Sequence, residues 1–119
     1  MQAFYRTMLM TAATLGVMGW LNVMSASPIH VTLRDGQIVP NEIDVDKGTT
    51  VQITVRNEGT QVHNFVIPDF YIFTQNLNPG ESVDVSFVPD KTGHFRYYSD
   101  RQGIPEPGMQ GTMTVDGEP

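Results

Sequence analysis

The chain predicts an all-β sandwich of about seven to eight short strands, preceded by one apolar N-terminal segment. Three observations lead there. After Pro28, apolar and polar residues alternate in runs of a few positions, the period-two pattern of strands with one buried face. Turn residues interrupt those runs at spacings of about 8–12 residues, as in two-sheet sandwiches. No helical periodicity appears beyond the opening segment.

That opening segment is MQAFYRTMLMTAATLGVMGWLNVMSAS, with one positive charge, Arg6, and an uncharged run from Thr7 to Met24. As a helix the run is about 27 Å long, close to the ~30 Å of a bilayer's hydrocarbon core. Met8, Met10, Met18 and Met24 suit lipid-facing packing rather than metal binding, and Trp20 lies where an indole sits at the interface. A cleaved signal peptide has the same charged start and apolar centre, but its core is usually only about 7–15 residues. The expected organisation is therefore a transmembrane anchor, or signal peptide, over residues 1–27 and a domain over 28–119. The anchor, spanning 7–24, is the favoured reading. Either way Arg6 stays inside and the domain lies outside the cytoplasm.

The strands follow in order. Ile29, Val31 and Leu33 alternate, and Asp35-Gly36 turns the chain. Ile38 to Val45 continues, interrupted by Pro40-Asn41, and Lys47-Gly48 turns again. Val51, Ile53 and Val55 alternate up to the turn Asn57-Glu58-Gly59. Val62 to Ile67 ends at Pro68, and a longer connection closes at Asn78-Pro79-Gly80. Val83, Val85 and Phe87 alternate, then Phe95 and Tyr97 lead to Ser99. A Pro/Gly-rich loop, RQGIPEPG, precedes a last strand carrying Met113 and Val115.

Composition narrows the function. At 119 residues, 39% apolar and 17% charged, the chain has the balance of a globular domain plus an extension. Thirteen acidic against seven basic residues give a net charge of −6, which disfavours nucleic-acid binding. Cysteine is absent, so disulfides, zinc–thiolate sites and iron–sulfur clusters are excluded.

The pattern Pro40, Ile43, Val45, Gly48, Val51, Asn57 and His63-Asn64-Phe65, followed by LNPGESVDVSFVPDKTGHFRYYS, resembles the cupredoxins, the blue-copper family. The resemblance covers nearly all of residues 29–116 and implies a cupredoxin-like Greek-key sandwich. In that family His63 matches the first imidazole ligand and Met109, followed by Gly111, matches the axial thioether. Ser99 stands at the thiolate position and Ile104 at the second imidazole position, so both are degenerate copper-site positions. A blue-copper centre needs two imidazoles and a thiolate in a plane, with Met a weak axial contact. A chain without cysteine has no thiolate to offer.

No confident metal ligand, catalytic residue or cofactor site follows; His63 and Met109 remain weak copper candidates. The reading favoured for His63 is a polar residue on an exposed rim, and for Met109 packing over the end of the core. Asp100 or Glu106 is a remote source of an oxygen ligand. Ser99 with His63 suggests a nucleophile and base, yet lacks a carboxylate orienter, an oxyanion hole and a glycine elbow. His94 belongs at the far end of the sandwich, and His30 has no assigned chemistry. The dense run Phe70, Tyr71, Ile72, Phe73 must expose about half its side chains, and exposed apolar patches mark partner surfaces. Ile104, Pro105 and Pro107 present a similar stiff apolar loop. Phe70, Tyr71, Phe73, Ile104, Pro105 and Pro107 are thus the docking candidates.

The expected function is a non-catalytic accessory subunit, anchored in the inner membrane with its domain on the periplasmic side. Its partner would be an integral-membrane complex, with a respiratory or photosynthetic electron-transport assembly implied by the family. The alternative is a periplasmic copper-handling protein using His63 and Met109.

Overall fold

The computed structural model describes residues 27–117, and the apolar segment 7–24 lies outside them. Among the described residues no helix is long and apolar enough to cross a membrane. They form nine strands and one 3-10 turn. The strands are β1 Ile29–Arg34, β2 Gln37–Val39, β3 Glu42–Asp46, β4 Val51–Asn57, β5 Val66–Ile67, β6 Ile72–Phe73, β7 Ser82–Phe87, β8 Gly93–Arg101 and β9 Ile104–Asp116. One sheet runs β3-β9-β8-β5-β6 and the other β2-β1-β4-β7.

The period-two pattern produces the core between these sheets. Val31, Leu33, Ile53 and Val55 face inward from one sheet, and Ile43, Ile67, Tyr97, Met113 and Val115 from the other. Each such side chain contributes about 1.5–3 kcal/mol on leaving water, so a one-residue slip of register would forfeit a whole face. Parallel pairings of β1 with β4 and β3 with β9 tie distant parts of the chain together.

Three expectations change. The stretch Ile38 to Val45 is not one strand: after the cis Val39–Pro40 peptide, β2 stays in one sheet and β3 joins the other. Proline offers no N–H to a ladder, so the interruption becomes the crossing point. Val62 to Ile67 is a strand only at Val66–Ile67; His63 makes an isolated bridge to Leu77 instead. The Pro/Gly-rich loop is mostly strand. β8 runs on to Arg101, Gln102-Gly103 turns, and β9 starts at Ile104.

The β8–β9 hairpin carries a large bulge. Pro105 pairs with Asp100 and Gln110 with Tyr98, so residues 106 to 109 stand opposite Ser99 alone. Below the bulge, Gly111 packs against Tyr97, where a Cβ would collide with the phenol ring. The Tyr97 hydroxyl donates to the Pro40 carbonyl at 2.7 Å and so ties β8 to the crossing between sheets. Burial, aided by the nearby charge of Glu42, pushes the Tyr97 phenol up from its ordinary value.

The run Phe70 to Phe73 divides between core and surface. Phe70 is half-buried, its ring edge-on to Phe95 at 4.8 Å and tilted to Phe87 at 5.5 Å. Phe70 is therefore a packing residue, a correction to its place among the docking candidates. Ile72 also packs against the core, whereas Tyr71 and Phe73 are 86% and 63% exposed. Tyr71 takes a left-handed backbone, φ 58°, directly after the 3-10 turn Pro68–Phe70, which turns its ring outward.

Candidate functional site

At the bulge end of the sandwich three segments meet: the β1–β2 turn, the connection between β4 and β5, and the β8–β9 hairpin. Asn57 organises the first approach. Its buried side chain donates to the carbonyls of Gln61 and Leu77, both at 2.8 Å, and accepts from the Gly59 N–H at 2.8 Å. This fixes the turn 57–61 and hence His63, whose backbone exchanges two hydrogen bonds with Leu77.

His63 is buried, at 2% exposure, and not on an open rim. Its burial is possible because both ring nitrogens have carboxylate partners. Nδ1 lies 2.9 Å from Glu106 Oε2, and Nε2 lies 2.8 Å from Asp35 Oδ1. Each ring nitrogen thus faces one carboxylate oxygen, so the imidazole bridges Asp35 on one side and Glu106 on the other.

Asp35 comes from the β1–β2 turn. It accepts from the Thr60 hydroxyl at 2.6 Å, from the Thr60 N–H at 3.0 Å and from the Gln61 N–H at 3.3 Å. The Thr60 hydroxyl, followed by His63, holds this carboxyl well below the usual carboxylate range.

Glu106 is the hub. Ser99 Oγ, fully buried, donates to Oε2 at 2.6 Å, while Arg101 Nη2 donates to Oε1 at 3.0 Å. Burial pushes the Glu106 carboxyl up, but the hydrogen bonds from Ser99 and His63 and the charges of His63 and Arg101 outweigh it, leaving it lowered. Ser99 also accepts from the Asn64 N–H at 3.0 Å. A hydroxyl has one proton, and the short bond to Glu106 uses it. Asn64 then bridges to Asp100, accepting its N–H and donating to its carboxylate, each at 2.7 Å.

The bulge makes this arrangement possible. Gly108 takes φ +78° and lies so close to Gly36 that a Cβ would collide with the Gly36 carbonyl. The bulged segment is thereby pressed onto the β1–β2 turn that carries Asp35.

The candidates from sequence are thus distributed as follows. Ser99 and His63 are brought together, though through Glu106 rather than to each other. Met109 is fully buried in the main core cluster. Ile104, at the position matched to the second imidazole, is 69% exposed at the hairpin tip. Pro105 is half-buried and Pro107 exposed. His94 lies down the hairpin, its Nδ1 3.0 Å from Thr114 Oγ1. Sequence reasoning gave Glu106 only a remote role and assigned Asp35 none. The one signal was a carboxylate between two prolines, five residues after an arginine.

A blue-copper ion does not fit these residues. The serine hydroxyl is a hard, protonated donor already spent on Glu106, and the imidazole nitrogens point at carboxylates on opposite sides of the ring. Two carboxylates so placed cannot converge on one ion. No cluster of three His, Cys, Asp or Glu residues among the described residues has metal-binding spacing.

With this geometry established, known proteins place the chain. The family described as Cupredoxin-like domain matches residues 7–115, and the chain belongs to it. An uncharacterised protein of Rickettsia prowazekii (strain Madrid E) is 25% identical over 72 residues, covering 60% of this chain and 57% of that protein. Reduced auracyanin from the photosynthetic bacterium Roseiflexus castenholzii superposes with a TM-score of 0.67 at 23% identity, over 77% of this chain and 98% of that one. Auracyanin A, a blue copper protein from Chloroflexus aurantiacus, gives 0.60 at 19%, over 76% and 100%. Copper nitrite reductase from Nitrosomonas europaea gives 0.65 at 16%, over 78% of this chain and 42% of that enzyme. At these identities the structural likeness concerns the fold alone.

Proposed function

We propose that this chain is a non-catalytic, membrane-anchored accessory subunit whose cupredoxin-like domain serves as a shaped docking module rather than as an electron carrier. The observation that carries this reading is the closed network Asp35–His63–Glu106–Ser99, which fills the end of the sandwich with paired charges. A site of that kind holds loops in place and offers no redox centre. Around it Ile104 and Pro107 are exposed, and Tyr71 and Phe73 project from the edge of the same sheet. Such exposed apolar side chains suit a protein partner.

The anchor would be residues 7–24 in the inner membrane, with the domain on the periplasmic side and an integral-membrane complex as partner. An electron-transport assembly, respiratory or photosynthetic, is proposed as that complex by analogy with the cupredoxin family alone. The copper-handling alternative gains no support from the site, because both nitrogens of His63 are engaged and Met109 belongs to the core.

The test is affinity purification of the tagged full chain from detergent-solubilised membranes, comparing wild type with Ile104→Asp and Phe73→Asp. Stoichiometric recovery of a membrane complex that either substitution weakens supports the reading. A wild-type chain that is released by carbonate washing and purifies alone overturns it.

A further inference from the structure

We infer that the Glu106 carboxylate occupies the position of the copper ion in metal-bearing cupredoxins, cross-linking the domain's end by charge where the family does so by metal coordination. The two residues matched to the first imidazole and the thiolate, His63 and Ser99, converge on one atom, Glu106 Oε2, at 2.9 and 2.6 Å. Nothing else among the described polar contacts is shared by both. A copper ion is a cation held by electron-pair donors, and a blue-copper plane comprises two imidazoles and a thiolate. Here the signs are inverted: a carboxylate oxygen sits at the centre, with the Ser99 hydroxyl donating a hydrogen bond to it and His63 Nδ1 in hydrogen-bond contact with it. Ser99 is therefore matched to its role and is not merely a lost ligand, since a hydroxyl donates the short bond that a carboxylate accepts.

The same geometry identifies which loop residue addresses this centre. Counting along the loop selects Ile104, but its side chain is exposed at the tip, and the bulge residue that reaches both Ser99 and His63 is Glu106. Arg101 closes the other carboxylate oxygen, and Asp35 extends the link through His63 to the β1–β2 turn. Four segments are thus joined without an ion: the β1–β2 turn, the 60–64 connection, the end of β8 and the bulge of β9.

This inference rests on the site geometry and stands apart from the docking reading, which co-purification tests. Its experiment uses the full-length chain in detergent, titrated with Cu(II) and followed by visible absorption. Wild type is compared with Ser99→Cys/Glu106→His and Ser99→Cys/Ile104→His, with circular dichroism confirming the fold of each. The expected result is one equivalent bound with an intense visible thiolate-to-copper band in the Glu106→His pair. Wild type and the Ile104→His pair should show no such band. A band in the Ile104→His pair alone, or none in a folded Glu106→His pair, overturns the inference. So does saturable copper binding by wild type that His63→Ala abolishes.

Should the double variants not fold, amide exchange of Glu106→Ala decides the matter. A cross-link at the ion's position predicts that protection falls at least tenfold in residues 60–64 and 99–106 together, with the β4–β7 pairing unaffected. Unchanged protection at 60–64 overturns the inference, because a carboxylate that merely decorates the hairpin would leave that segment alone.

Discussion

Ser99 Oγ and Glu106 Oε2 stand 2.6 Å apart, joined across a bulge in which four residues of β9 face the single residue Ser99. That contact couples the two residues energetically, because each satisfies a polar atom the other would leave stranded. Removing one partner of a buried charge-assisted hydrogen bond costs more than removing both. In a double-mutant cycle, Ser99→Ala and Glu106→Ala should be non-additive by about 0.5–3 kcal/mol, measured by urea denaturation. Additive effects would mean the contact contributes nothing.

Glu106→Ala should destabilise the domain by about 2–3 kcal/mol, since it takes from the buried Ser99 hydroxyl its short bond and from His63 Nδ1 its partner. For a domain of this size each kcal/mol lowers the melting temperature by roughly 4–8 °C. Calorimetry should show a clear drop, and Glu106→Gln a smaller one, because an amide oxygen still accepts from Ser99.

Acid should unfold the domain by a route these carboxylates define. Both Asp35 and Glu106 have folded values below their ordinary 3.8 and 4.5, so the unfolded chain binds protons first as pH falls. Their stabilisation is fully present above about pH 5 and is lost as pH drops below 4.5 towards the folded values. The groups facing Glu106 are Ser99, His63 and Arg101, and those facing Asp35 are Thr60, Gln61 and His63, so no like charge offsets the effect directly. Urea midpoints between pH 7 and 3 should fall more steeply for wild type than for Glu106→Gln or Asp35→Asn. Parallel curves would count against it.

Gly111→Ala should be costly, about 1–3 kcal/mol, because the new methyl must displace the buried Tyr97 ring and its hydrogen bond to Pro40. Gly108→Ala adds backbone strain at φ +78° to a collision with the Gly36 carbonyl. Chemical denaturation of both checks this, and wild-type midpoints would contradict the close approach of Gly111 to Tyr97 or of Gly108 to Gly36.

Ile104→Asp and Phe73→Asp should change stability by no more than about 0.5 kcal/mol, since both side chains are exposed. This separation of folding from association is what makes them usable probes of docking. A loss of several degrees in melting temperature for either variant would remove it from that use.

The amino-acid sequence by itself determined the sandwich, because alternation of apolar residues fixes which face each strand buries, whatever the partners. It also placed Ser99, Met109 and Gly111 at one end, and its lack of cysteine excluded a thiolate centre. Only the tertiary structure decided that His63 is enclosed rather than exposed. The carboxylates that make its burial tolerable, Asp35 and Glu106, lie 28 and 43 residues away in sequence. Only the structure chose Glu106 over Ile104 as well. Which side chain of a Pro-rich hairpin turns inward depends on the register of β9 against β8 and on Gly108 pressing on Gly36. Those contacts are made between strands and turns far apart in the chain, and local spacing carries no record of them.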